Sequence, residues 1–218
     1  MNNFFFFGDS ITFGDNCHKG DNYYEEYYRE GDKLWTDIVS DHYNMKSQNL
    51  SWSGYSSKSI ISSFFKVAKR IKEKDKVVIF KGFYDRIDIP DKNGDYQVIT
   101  NFQANNGDGN LTSDHFSESD IDLISRYGIR FLYNQEKRYN FYDQIYDYIS
   151  YTLTEKRIQH LIWEPKGISF ATDLNKDGIL TITHHSKGRI NDAHFSFPGH
   201  LRFSKWLIKE LENKYVII

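Results

Sequence analysis

The chain has 218 residues, 27% of them charged, and a formal net charge of -2. That length suits one α/β domain able to bury a real core, and the near-neutral balance argues against a nucleic-acid or anionic-membrane partner held by bulk charge. Aromatic residues reach 17%, which reads mainly as core and half-buried edges.

The first element is Phe4-Phe5-Phe6-Phe7, a short, fully buried strand, followed at once by Gly8-Asp9-Ser10 and a second glycine, Gly14. A strand ending in a tight turn can hold a serine hydroxyl at the sheet edge, just before a helix. No charged region with an apolar signal core precedes it, and no apolar run approaches the roughly 18 residues needed to span a membrane. The expectation is a soluble, cytoplasmic protein without a membrane partner. Cys17 is the single cysteine, so no internal disulfide forms. Residues 15–31 are polar and aromatic, a loop or short helix that would rim a site beyond Ser10.

Leu34, Trp35, Ile38, Val39 and His42 recur at helical spacing. Lys46 to Leu50 reads as a second strand, and Ser51 to Ser57 as a glycine-serine loop, with Ser56 or Ser57 placed to cap the next helix. That helix carries Ile60, Ile61, Phe64, Phe65, Val67, Ala68 and Ile71 and is expected to end near Lys74. Val77-Val78-Ile79-Phe80 is the clearest buried strand, ended by Gly82. Residues 87–117, with Pro90, Gly94, Gly107 and Gly109, read as a long loop carrying at most a short strand at Tyr96 to Thr100. Helices follow at about Glu118–Tyr127 and Gln135–Thr154, then a strand at His160 to Trp163. A broken stretch runs from Pro165 to Lys187, and a final amphipathic helix from Gly199 to Lys214. Alternating strands and helices imply a parallel sheet covered on both faces. Sites in such sheets collect beyond the carboxyl ends of the strands, where Ser10, Gly54 and Gly82 converge.

A serine hydroxyl needs a base to become a nucleophile, and histidine is the usual one. Asp192-Ala193-His194, in a loop before the last helix, supplies a base with an acid two residues away to orient it. With these pieces the chain resembles the SGNH (GDSL-like) hydrolase family over nearly its whole length. Gly8-Asp9-Ser10 looks like the first block of that family, Asn49 to Gly54 like the second, Val77 to Asp85 like the third, and Asp192 to His194 like the fifth. The resemblance implies a flavodoxin-like, three-layer α/β/α sandwich with a central parallel sheet, as one domain over 1–218 with insertions near 15–31 and 87–117. It implies ester hydrolysis through an acyl-serine: Ser10 as nucleophile, His194 as base, Asp192 as acid, and the amides of Ser10 and Gly54 as oxyanion donors. No metal or organic cofactor is required. The substrate is a small-molecule or glycan ester, O-acetyl or another acyl.

The sequence departs from the family in two places. The third block usually ends Gly-x-Asn-Asp, but here it is Gly82-Phe83-Tyr84-Asp85, so Tyr84 or the neighbouring Arg86 is the candidate third oxyanion donor. The other reading of Arg86 is a partner for Asp85 or Asp88. Many members place the acid three residues before the histidine, where Asn191 stands here. Tyr84 and the aromatic rim of Tyr23, Tyr24, Tyr27 and Tyr55 motivate an alternative, a catalytically weakened protein binding a sugar or other ligand in the old cleft; an acyltransferase shares the same acyl-serine. Asp9 is expected to brace the turn, and Asp9 and Tyr55 are the candidates for substrate contacts. Asp173, Asn175 and Asp177 match the first half of an EF-hand calcium loop, but His184 stands where a bidentate Glu belongs, and flanking alternation favours a hairpin.

Overall fold

The computed structural model describes residues 2–14, 31–82, 86–100, 112–126, 135–163, 195 and 197–214. Strand β1 (Asn3–Phe7) is central, as its unbroken aromatic run requires, with α1 (Ser10–Phe13) directly behind it. Helix α2 (Trp35–His42), β2 (Lys46–Asn49), α3 (Ser57–Val67) and β3 (Lys76–Phe80) follow. Next come β4 (Arg86–Pro90), β5 (Tyr96–Thr100), α4 (Glu118–Leu123), α5 (Gln135–Glu155), β6 (Gln159–Trp163) and α6 (Phe197–Lys214). The order β2-β1-β3-β6 forms one sheet, parallel throughout, with Phe6 opposite Asn49 and Val78, and Ile79 opposite Ile162.

Side-chain alternation along β1 and β3 builds two cores. Phe4, Phe6, Val78 and Phe80 face Trp35 and Val39 of α2 and Phe203, Leu207 and Leu211 of α6. Phe5, Phe7, Val77 and Ile79 face Ile60 and Phe64 of α3 and Tyr146, Ile149 and Leu153 of α5. Helices thus cover both faces, and the fold is the three-layer α/β/α sandwich. Each fully buried apolar side chain contributes about 1.5–3 kcal/mol. The polar run Lys-Ser-Gln-Asn is tolerable as β2 because that strand lies at the sheet edge. Among the described residues, no helix is long and apolar enough to cross a membrane.

Two expectations are corrected. The expected short strand at Tyr96–Thr100 is present as β5, but Arg86–Pro90, read as part of a long loop, is a strand as well. β4 and β5 pair as an antiparallel hairpin, with Asp88 opposite Val98, and Ile89 packs with Ile99, Phe116, Ile121 and Ile124 in a third, smaller core. The helix expected to reach Lys74 stops at Val67, with a single 3-10 turn at Ala68–Arg70. Asp75 explains the stop: its carboxylate accepts the amide of Lys72 at 2.8 Å and that of Asn3 at 2.7 Å, giving the backbone a turn in place of further helix. Helix α6 begins two residues before the expected Gly199, since Pro198 fits a first helical turn.

Candidate active site

Gly8 lets β1 turn sharply, since a Cβ there would overlap Thr12 Oγ1 and crowd Phe80. Asp9 is the N-cap of α1, its carboxylate accepting the amide of Ile11 at 3.1 Å, and Ser10 is the first helical residue. Gly14 closes this single turn at φ 88°, its amide bonding to the Ser10 carbonyl at 2.9 Å. Ser10 thus stands at the carboxyl end of the central strand, 4% exposed.

The Gly54 loop is fastened beside it. Leu50 N–H donates to Phe6 O at 2.8 Å, continuing the ladder, and Asn49 Nδ2 donates to Thr12 O at 2.8 Å. The amide and hydroxyl of Ser51 both bond to Asn49 Oδ1. The turn closes through Tyr55 N–H to Trp52 O at 3.3 Å. Gly54 adopts φ 76° there, and among the described residues a Cβ on it would meet nothing within 4 Å. At the end of β3, Ser57 Oγ and Tyr146 OH both donate to Lys81 O, at 2.8 and 2.9 Å. Burial pushes the Tyr146 phenol well above its ordinary pKa, so it stays a donor. Gly82 follows at φ 74°, where a Cβ would lie 2.7 Å from Ile60 Cδ1.

Arg86 joins these pieces. Its Nη1 donates to Asp9 Oδ2 at 2.9 Å and to Tyr55 O at 3.3 Å, so one guanidinium ties the hairpin, the Ser10 corner and the Gly54 loop together. Of the two partners expected for Arg86, Asp88 is bound elsewhere, and Asp85 lies outside the described residues. Asp88 accepts from Ser56 Oγ at 2.7 Å and from Ser59 Oγ at 3.2 Å, fixing β4 to the N-terminus of α3. Asp9 is fully buried and engaged by these internal bonds, in the position of a brace for the turn.

The C-terminal segment reaches the same end of the molecule. Phe195 is 1% exposed and belongs to the cluster that contains Ile11, Trp35 and Phe203. Trp35 donates Nε1–H to Ile11 O at 3.1 Å and its backbone N–H to His200 Nδ1 at 3.3 Å. His200 is thereby a buried packing residue, edge-on to Phe195. Tyr84, Asp192, His194 and the calcium-loop residues Asp173, Asn175 and Asp177 lie outside the described residues, as does the 15–30 rim.

Sequence reasoning missed Asp88, Trp52 and Tyr96, which line a cleft of about 500 Å³ with Ser53, Gly54, Tyr55 and Arg86. The missed signal was Asn93-Gly94 between Ile87-Asp88-Ile89 and Val98-Ile99, a hairpin signature.

No protein-family profile and no curated protein matches the chain. Among the solved structures that resemble it, two align with nearly all of the chain. One is a lipase/acylhydrolase from Enterococcus faecalis, 14% identical, covering 98% of this chain and 97% of its own, with a TM-score of 0.39. The other is 13% identical, covers 99% of both chains and has a TM-score of 0.42.

Proposed function

We propose that this chain is an SGNH-type serine hydrolase that cleaves a carboxylic ester through an acyl-serine. The observation that carries the reading is that Ile11 and Phe195 share one buried cluster. They are the chain neighbours of Ser10 and His194, residues almost two hundred positions apart, and membership of one cluster supports a reading in which the two segments meet at the carboxyl end of the sheet.

In this mechanism Ser10 Oγ bonds to the ester carbonyl carbon while its proton passes to His194, oriented by Asp192. The amides of Ser10 and Gly54 stabilise the oxyanion; the clearance of Gly54 from the described residues supports that role. Collapse breaks the bond to the alcohol, which leaves with the proton from His194. Water then attacks the acyl-serine, gives a proton to His194, and releases the carboxylic acid as Ser10 recovers its hydrogen. Arg86 holds the two donor segments in register.

The test is labelling with a fluorophosphonate alongside hydrolysis of p-nitrophenyl acetate. Wild type should label and turn over, and Ser10→Ala should lose both. Equal, background-level behaviour of the two proteins would overturn the esterase and favour the ligand-binding alternative.

A further inference from the structure

The cleft between the Gly54 loop and the β4–β5 hairpin combines two features. Its flanks carry large exposed rings, Trp52 at 58% and Tyr96 at 61% exposure. Its lining also holds Ser53, Ser59, Arg86, Asp88 and Gln97, an unusually polar set for a pocket. Both rings are held in place from the side. Trp52 packs on Phe13 with centroids 5.0 Å apart, and Lys58 Nζ lies 4.3 Å from the centroid of Tyr96. Pre-set rings lose little conformational freedom when a ligand stacks on them.

The hairpin explains the polarity. Arg86 and Asp88 point to one side of β4 and Ile89 to the other, where it joins the small core with Ile99 and Phe116. The strand therefore buries its apolar side away from the sheet and presents its polar side to the cleft. A fatty acyl chain lying there would take the polar groups of Ser53, Asp88 and Gln97 out of water and add no hydrogen bond of its own, which is costly. A ring with an apolar C–H face and equatorial hydroxyls satisfies both parts, stacking on Trp52 or Tyr96 and hydrogen-bonding to the carboxylate and amide groups. The volume, about 500 Å³, falls within the range of small-molecule sites. The cleft is linked to the Ser10 corner through Arg86, which lines it and donates to Asp9.

We propose that this cleft is a pyranose subsite, so that the ester cleaved at Ser10 is borne by a neutral carbohydrate. The proposal deepens the esterase reading and rests on it for the reaction, though not for the binding. The experiment uses the full chain carrying Ser10→Ala, titrated with acetylated xylotetraose, cellotetraose and mannotetraose while tryptophan fluorescence is followed. At least one sugar should quench saturably in the millimolar range or tighter. Trp52→Ala and Tyr96→Ala should each weaken that binding about tenfold or more, whereas Tyr96→Phe, which keeps the ring, should retain it. Circular dichroism confirms that each variant is folded. In the parent enzyme, the ratio of kcat/KM for the sugar acetate to that for p-nitrophenyl acetate should fall in Tyr96→Ala. A flat titration with all three sugars, or equal binding by Tyr96→Ala and its parent, overturns the subsite while hydrolysis of p-nitrophenyl acetate leaves the esterase standing. Saturable binding without Ser10-dependent turnover keeps the subsite and overturns the esterase.

Discussion

Nη1 of Arg86 holds two segments that lie far from it in sequence, Asp9 across 77 positions and Tyr55 across 31. The Asp9 carboxylate is fully buried, and Arg86 keeps 17% exposure. Removing the cation leaves a buried charge with less compensation, a loss of about 3 kcal/mol, at the lower end for broken buried pairs because water can still reach the site. Arg86→Met should therefore lower the urea midpoint, and adding Asp9→Asn should recover part of the loss; the coupling is read from a double-mutant cycle. Additive effects would show that the pair does not couple. The Gly-Asp-Ser corner was legible because its parts are contiguous: a buried strand, a glycine where Thr12 approaches, an N-cap and a helix start. The Arg86–Asp9 pair was not, because an ion pair between distant residues leaves no periodic or local mark, and Asp88 two positions away was the nearer candidate.

At the scale of elements, the β4–β5 turn is organised by one carboxylate. Asp91 Oδ1 accepts the amides of Asn93 at 2.8 Å and Asp95 at 3.0 Å, while Oδ2 accepts from Gln97 Nε2 at 3.0 Å and His115 Nδ1 at 3.3 Å. Burial by itself would raise the Asp91 pKa, but these four hydrogen bonds to the charged form outweigh it, and the group titrates below its ordinary value of 3.8. A folded-state pKa below the unfolded one stabilises the turn fully above that ordinary value, and the contribution disappears as pH falls below it. Amide exchange at Asn93 and Asp95 should thus lose protection as pH falls from about 3.8 downward, with Phe4–Phe7 protected throughout. Asp91→Asn should have weaker protection and a flat profile over that interval; an unchanged profile in the variant would refute the assignment. The buried strands were readable from the sequence because they are continuous apolar runs. This hairpin was obscured because its cleft side is polar and its apolar side serves a core of its own, so the segment carries the composition of a loop. The end of α3 was obscured for a related reason, since a side chain of Asp75 competes with helical bonds from beyond the apolar pattern.

Across the whole molecule, the sheet separates two cores whose roles differ. Phe6 and Phe7 are adjacent and equally buried, yet Phe6 meets Trp35 edge-on at 5.1 Å and Phe7 meets Phe64 at 5.5 Å on the opposite face. Truncating either to alanine should cost about 3–5 kcal/mol, and each kcal/mol lowers Tm by roughly 2–4 °C in a domain of this size. Function should divide where stability does not. Trp35 holds the Ile11 carbonyl and shares its cluster with Phe195, so Phe6→Leu should slow fluorophosphonate labelling of Ser10 more than Phe7→Leu does. Equal labelling rates would place the site's support elsewhere.

The small core beneath the hairpin has a consequence of another kind. Ile89, Ile99, Phe116, Ile121 and Ile124 shelter one another, and among the described residues none of the main sheet belongs to their cluster. The segment therefore behaves as an interchangeable cassette on a fixed chassis, riveted at Arg86 and Asp88. Recombination could exchange the cassette, and with it the surface that meets the ligand, leaving the strand that carries the nucleophile untouched. Altered selectivity would then arise without refolding the parent domain.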